Sequence, residues 1–271
     1  MTHINLHIHT NHSDGIFSVK EVLEKSKSNG LRIISITDHD NITGSLEAIN
    51  MIEDDSIEIV TGIELTADYN LGICHILGYN ITDINKIVQF TKNIRQNREK
   101  KGELMVKLAN ELGYNLNYLE IKKNIPNGIV GRRDIAKELV KKKIFKDEDT
   151  AIKELFIKGK KCYVETKKNT IDSCIEIIKN SGGIAIIAHP WTLNISHKEL
   201  KKFLLLYKFD GIEVFNHDIS YENYKKLCDL ADELGLIKTC GTDFHGNKKL
   251  DNLIVRENVD CSIFLKKVRR K

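Results

Sequence analysis

Along the chain, short apolar runs alternate with longer stretches whose apolar residues recur every three or four positions. Thr2 to His9 reads as a strand with His7 and His9 on one face and Leu6 and Ile8 on the other, because strand side chains alternate. Ser18 with Glu21 is a capping box that opens a helix, and Gly30 closes it. Arg32 to Thr37 is a buried strand ending in Asp38-His39-Asp40, followed by a helix from Thr43 to Glu53. Glu58 to Gly62 is a third strand leading to Glu64, and Gly72 to Tyr79 is a fourth that carries His75 early in its length. From Asp83 to Leu112 the pattern is helical and charged, with Gly113 as its stop, and Gly131–Lys143 and Asp147–Ile157 are two more helices. Thr170 caps a helix up to Ser181, and Ile184 to Ala188 is a strand ending in His189-Pro190. Ser196 with Glu199 is a second capping box, opening a helix to Tyr207. Asp210–Phe215 is a strand, Ser220–Leu234 a helix capped by Gly235, and Leu236–Gly241 a strand ending in Thr242-Asp243-Phe244-His245. A last helix covers Cys261 to Arg270.

Helices that end in glycine and feed short apolar strands predict an α/β protein with parallel strands. In barrels of that kind the chemistry sits at the C-terminal ends of the strands, where His9, His39, Glu64, His189, Asp243 and His245 fall. The middle stretch lacks convincing strands and reads as an insertion, residues 92–168, between barrel segments 1–91 and 169–271. Its charge sets it apart. From Lys92 to Lys168 there are 21 Lys and Arg against 11 Asp and Glu, a local +10, which leaves 21 against 27 elsewhere. That basic stretch is either a solvated helical surface or an attractor for an anionic substrate.

The 271 residues, 41% of them hydrophobic and 30% charged, fit one large globular domain with an insertion. No apolar run is long enough to span a membrane, and the N-terminus enters the first strand with no signal-peptide pattern. Six cysteines without a C-x-x-C pair predict reduced, buried thiols in a cytoplasmic protein.

His7, His9, Asp14, His39, Glu64, His75, His189, Asp243 and His245 together exceed the needs of one ion, since a catalytic zinc takes about three protein ligands. Mixed nitrogen and oxygen donors suit Zn, Mn or Fe better than Mg or Ca, and two or three ions sharing carboxylates account for the whole set. Each residue alone has an ordinary reading, as a polar contact, a helix cap or a turn residue; the joint pattern is what points to metal.

Those residues lie in His7-Ile8-His9 with Asp14-Gly15, Thr37-Asp38-His39-Asp40, Gly62-Ile63-Glu64, Cys74-His75-Ile76-Leu77-Gly78-Tyr79, Ala188-His189-Pro190 and Gly241-Thr242-Asp243-Phe244-His245-Gly246. In order and spacing they resemble the PHP (polymerase and histidinol phosphatase) family. They are most similar to its stand-alone bacterial phosphoesterase branch, which includes 3′,5′-bisphosphonucleotide phosphatases and a 5′-to-3′ exoribonuclease. Gly211-Ile212-Glu213-Val214-Phe215 and Gly159-Lys160 before Tyr163-Val164 resemble that branch too. The resemblance implies a distorted seven-stranded, TIM-like barrel with an inserted helical cap. It implies one ion on His7, His9, Glu64 and Asp243, a second on Glu64, His75 and His189, and a third on Asp14, His39 and His245. Of these, Asp14, His39, His189 and His245 would also serve catalysis. The implied reaction is hydrolysis of a nucleotide or short oligoribonucleotide phosphate ester by a metal-bridging hydroxide.

The branch's Gly-Arg-Pro-His segment is here Gly131-Arg132-Arg133-Asp134. Arg132 can grip a phosphate bidentately, with Arg133, Lys160 and His217 as further substrate contacts. His3, His12 and His197 read as solvated, Asp38 as the partner of a ligand, and Trp191 as either a base-stacking or a packing residue. Three rivals remain: a histidinol-phosphate phosphatase with the same ligands, a catalytically silent metal-bound regulatory module, and a nucleic-acid-binding module with structural metals. No membrane and no obligate protein partner is expected.

Overall fold

In the computed structural model, residues 3–52, 55–69, 72–125, 129–165, 169–216, 219–246, 253–255 and 257–269 are described. Strands β1 (Ile4–Ile8), β2 (Ile33–Ile36) and β3 (Glu58–Ile59) form a parallel sheet in that order. Strands β4 (Gly62–Tyr69), β5 (Gly72–Tyr79), β6 (Ile184–Ile187), β7 (Gly211–Phe215) and β8 (Ile237–Cys240) form a second, five-stranded sheet.

Three expectations are corrected here. The strands are not all parallel: β5 runs antiparallel to both β4 and β6. Tyr69 pairs with Gly72, so only two residues link β4 to β5, and a parallel crossover needs about a dozen. The expected third strand is also divided. Val60 donates its N–H to Ile34 of β2, whereas Gly62 pairs with Tyr79 of β5, so the chain changes sheet between them. Nor do the described strands make one continuous barrel ladder. Among the described residues the ladder pairing between the two sheets is reduced to single bridges, Ile8 with Phe244 and His39 with Glu64.

The helices are α1 (Val19–Ser28), α2 (Thr43–Met51), α3 (Ile84–Glu111), α4 (Tyr118–Lys123), α5 (Arg132–Lys141), α6 (Glu148–Leu155), α7 (Ile171–Asn180), α8 (His197–Leu206), α9 (Tyr221–Leu234) and α10 (Ser262–Val268). A 3₁₀ turn, Pro190–Leu193, follows β6. Both capping boxes form: Glu21 and Glu199 reach back to the N–H groups of Ser18 and Ser196, which cap α1 and α8. Gly235 ends α9 in the left-handed region at φ 64°, where a side chain would be strained. Helix α4 was not expected. Its signal is Asn117, whose Oδ1 accepts from the Leu119 and Glu120 N–H groups, ahead of a segment too short for a periodic pattern.

The chain divides into two compact units, residues 1–90 with 168–271, and residues 91–167. The first has Leu6, Ile63, Leu65, Ile76, Leu77, Tyr79, Ile186 and Ile212 in its main core, with a second layer of Ile8, Val22, Ile34, Ile36 and Phe244 under α1. The second packs Met105, Val106, Ile135, Leu139, Leu155 and Phe156 together. No described helix is long and apolar enough to cross a membrane, and all six cysteines are free.

Gly241, directly after β8, abuts β1: a Cβ there would lie 2.2 Å from the His7 Cβ and 2.7 Å from the His7 N. Backbone cannot yield as a flexible side chain can. Gly241→Ala is therefore expected to destabilise the fold by about 1–3 kcal/mol or more, read as a lower urea midpoint at unchanged m-value.

Candidate metal centre

The alternation of β1 puts Asn5, His7 and His9 on one face, and all three side chains are buried. Asn5 ties this strand to the segment after β8: its Oδ1 accepts from the N–H groups of His7 (3.1 Å) and Thr242 (3.2 Å), while its Nδ2 donates to Thr242 Oγ1 (2.8 Å). Asp243 and His245 are thereby held beside His7 and His9. The Phe244 backbone bonds to both His7 and His9, which fixes the same register. Glu64 is not beyond a strand end, as expected, but the third residue of β4, and Asp40 donates its N–H to the Glu64 carbonyl at 2.8 Å. His75, which looked too early in its strand, reaches the same place because β5 runs backwards: the carbonyl of His75 accepts from Ala188, the last residue before His189.

All nine predicted ligands are brought together. The fully buried Glu64 carboxylate is ringed by His7 Nε2 (3.4 Å), His9 Nε2 (3.2 Å), His39 Nδ1 (3.0 Å), His75 Nδ1 (3.2 Å) and His189 Nε2 (3.2 Å). Asp243 Oδ1 lies 3.3 Å from His7 Nε2 and 3.1 Å from His9 Nε2. Asp14, the most exposed member at 57%, faces His245 Nε2 at 3.2 Å and His39 Nε2 at 3.8 Å. Among the described residues, three groups offer donor atoms within 4.8 Å of one another: His7, His9, Glu64 and Asp243; His9, Asp14, His39 and His245; and His39, Glu64 and His75. The first matches a set implied by the family resemblance. His9 joins the second, and His39 occupies the third with Glu64 and His75, whereas His189 sits against Glu64 and His75, its Nε2 3.3 Å from His75 Nδ1.

The donor set fits metal ions on three observations. Glu64 Oε2 and His39 Nδ1 are buried and 3.0 Å apart, yet neither makes a hydrogen bond. The Nε2 atoms of His7 and His9 face each other at 3.1 Å, a contact that needs either a shared proton or a shared cation. The other ring nitrogens are occupied: His7 Nδ1 by Glu213 (3.0 Å), His9 Nδ1 by Ser13 (3.2 Å), His189 Nδ1 by Thr192 (3.1 Å) and His245 Nδ1 by the Asp243 carbonyl (2.8 Å). Such outer partners fix the tautomer and aim the free nitrogen at an ion.

The charges agree with this. Burial would raise the Glu64 carboxyl, but His39, His75 and His7 hold it well below the usual carboxylate range. Asp243 beside His7 and His9, and Asp14 beside His245 and His39, are likewise held low against their burial. Burial would lower the imidazoles; His7, His9, His39 and His245 are nevertheless raised by these carboxylates and by Glu213, whereas burial wins at His75 and lowers it. Asp40, His189 and Asp243 hold their backbones at φ 46°, 26° and 52°, which costs a non-glycine residue about 1–3 kcal/mol each.

Asp38 supports the site: Oδ1 accepts from Thr10 N–H (2.8 Å) and Ser13 Oγ (2.5 Å), and Oδ2 from Thr10 Oγ1 (2.7 Å). His12, read as solvated, pairs with Glu47 at 2.7 Å. Trp191 packs partly buried against the core with its ring edge-on to His189, so packing is its observed role. The proposed substrate contacts are a separate matter. Arg132 and Arg133 are exposed at the start of α5 and Lys160 is exposed in a turn, all within residues 91–167, and His217 lies outside the described residues. Asp134 accepts from the Gly131 N–H at 2.9 Å and so caps α5. Asn5 and Glu213 were missed. Each had a signal, Asn5 in the period of His7 and His9, and Glu213 as the one charge in an apolar strand.

The PHP domain profile matches residues 5–169. The chain belongs to the PHP domain family. A 5′-3′ exoribonuclease of Haemophilus influenzae is 30% identical over 251 residues, 89% of each chain. A 3′,5′-nucleoside bisphosphate phosphatase of Chromobacterium violaceum is 26% identical, over 90% of this chain and 88% of the relative. A solved structure described as an amidohydrolase of Chromobacterium violaceum, with bound sulfate and no metal, superposes with a TM-score of 0.79 at 25% identity, covering 96% of this chain and 93% of its own.

Because the neighbouring carboxylates favour the protonated forms of His7, His9, His39 and His245, metal uptake by this PHP centre would compete with those protons. Affinity for zinc is expected to rise from about pH 6 to pH 8, with proton release seen as a buffer-dependent binding heat. Affinity and heat independent of pH and buffer would contradict this charge assignment.

Proposed function

We propose that this protein is a metal-dependent phosphoesterase acting on nucleotides, either a 3′,5′-bisphosphonucleotide or a short 5′-phosphorylated oligoribonucleotide. The observation that carries the reading is Glu64 with its five imidazoles, flanked by Asp243 and Asp14. All three carboxyls are held ionised, and three negative charges would repel a phosphate ester unless cations offset them. We assign one ion to His7, His9, Glu64 and Asp243, a second to Glu64 with His75 and His189 or His39, and a third to Asp14, His39 and His245. Bound there, two or three divalent ions (Mn, Zn or Fe) would lower the pKa of water and neutralise charge on the phosphoryl oxygens.

The chain's own residues grade from floor to mouth. His7, His9 and Glu64 are fully buried and exclude bulk water, while His39, His75 and Asp14 are partly exposed, so the ester is read as entering from their side. Where two ions bind and the third position holds none, Asp14 Oδ1 and His245 Nε2, 3.2 Å apart at that mouth, are the pair we assign to passing a proton to the departing oxygen. The exposed Arg132, Arg133 and Lys160 give residues 91–167 their own capacity to bind an anionic ester. As for architecture, the bridges Ile8–Phe244 and His39–Glu64 support reading β1, β2 and β4 to β8 as a distorted seven-stranded ring with β3 outside it. The names of the exoribonuclease and bisphosphate phosphatase relatives support the nucleotide class.

The test is phosphate release by metal-loaded protein from 3′,5′-bisphosphoadenosine, histidinol phosphate and 5′-phosphorylated RNA. Release from the first alone makes it a nucleotide phosphatase, stepwise mononucleotide release makes it an exoribonuclease, and release from none contradicts the proposal. Asp243→Ala or His9→Ala is expected to cut turnover more than the about 10- to 100-fold typical of losing a residue that only supports a ligand. Arg132→Ala should raise KM with little change in kcat, because a phosphate grip used equally in ground and transition states is uniform binding.

A further inference from the structure

One carboxylate touches two of the proposed ligands without being one itself. Glu213 is the third residue of β7, Gly211–Phe215, in which every residue is buried. Its two oxygens go to different places: Oε1 is 3.0 Å from His7 Nδ1, and Oε2 accepts the His189 backbone N–H at 2.7 Å. The first contact leaves His7 Nε2 facing His9, Glu64 and Asp243. The second holds a histidine in the left-handed region, φ 26° and ψ 59°, with its ring Nε2 3.2 Å from Glu64. A buried carboxylate in an apolar strand is costly unless its hydrogen bonds repay it, and both of its bonds lead into the metal centre.

We propose that Glu213 is a positioning residue that sets the His7 tautomer and the His189 backbone together, so that these two ligand positions are lost or kept as a unit. The chemistry of the replacement makes the proposal sharp. A carboxylate offers two acceptors, but glutamine offers one acceptor and one donor. In Glu213→Gln the single oxygen satisfies the His189 N–H, and the amide NH₂ then faces His7 Nδ1. His7 can accept there only by moving its proton to Nε2, the atom it needs for an ion. The alternative arrangement sets the amide NH₂ against the His189 N–H and releases its backbone.

The proposal rests on the metal reading above, and two measurements on the full chain separate their failures. Ring ¹⁵N–¹H spectra of the zinc-loaded wild-type protein are expected to show His7 with a slowly exchanging Nδ1–H. Zinc titration of Glu213→Gln is expected to give an affinity about 10- to 100-fold weaker, with His7 as the Nε2–H tautomer and the Asp14–His245 signals retained. Zinc-loaded wild type lacking the His7 Nδ1–H overturns the proposal, and this readout stands even if the variant does not fold. So does a Glu213→Gln protein with wild-type affinity and an unchanged His7. Wild type that binds no zinc at all instead overturns the metal reading on which the proposal depends.

Discussion

Everything about the centre follows from one buried carboxylate. Glu64 is fully shielded from water, and its oxygens face five imidazole nitrogens at 3.0–3.4 Å. A carboxylate so placed is tolerable only with compensating positive charge, which the ring can supply either as protons on histidine or as shared cations. Both forms are visible in the chemistry. The raised His7, His9 and His39 are the proton-bearing answer, and the unbonded Glu64 Oε2 and His39 Nδ1 are the atoms a cation would engage.

The fold serves to bring that ring together from distant parts of the chain. β1 contributes two histidines at once through its alternation, and the segment after β8 is fastened beside them by Asn5 and the Phe244 backbone. The reversal of β5 is what allows His75 to join a cluster otherwise built at the exits of strands. Three of the non-glycine residues held at positive φ, Asp40, His189 and Asp243, lie at this centre. For His189 the restraining bond comes from Glu213, which connects strain and ligand geometry through a single side chain.

How much of this was legible in the sequence depended on the range of the interaction. The two capping boxes and the helices Arg132–Lys141 and Glu148–Leu155 are local signals and stand where expected, while the nine candidate side chains come close together in groupings that only partly match the implied ones. The direction of β5 is a tertiary fact, hidden because an apolar run reads the same in parallel and antiparallel neighbours. The division between β3 and β4 was hidden likewise, since Thr61 marks a change of partner and not of composition. Glu213 escaped because a lone acid in Gly-Ile-Glu-Val-Phe identifies itself only once His7 and His189 are seen on either side of it. Asp134, which differs from the histidine that the family resemblance implies, takes a local role: its carboxylate caps the helix that begins at Arg132.

The account turns on whether Glu64 is a shared ligand. Anomalous X-ray scattering from crystals of the protein grown with manganese or zinc tests that most directly. Two or more peaks within bonding distance of donor atoms around Glu64, one of them bounded by His7, His9 and Asp243, are the predicted result. A map with no peak bonded to Glu64, or with ions only elsewhere on the surface, would contradict it.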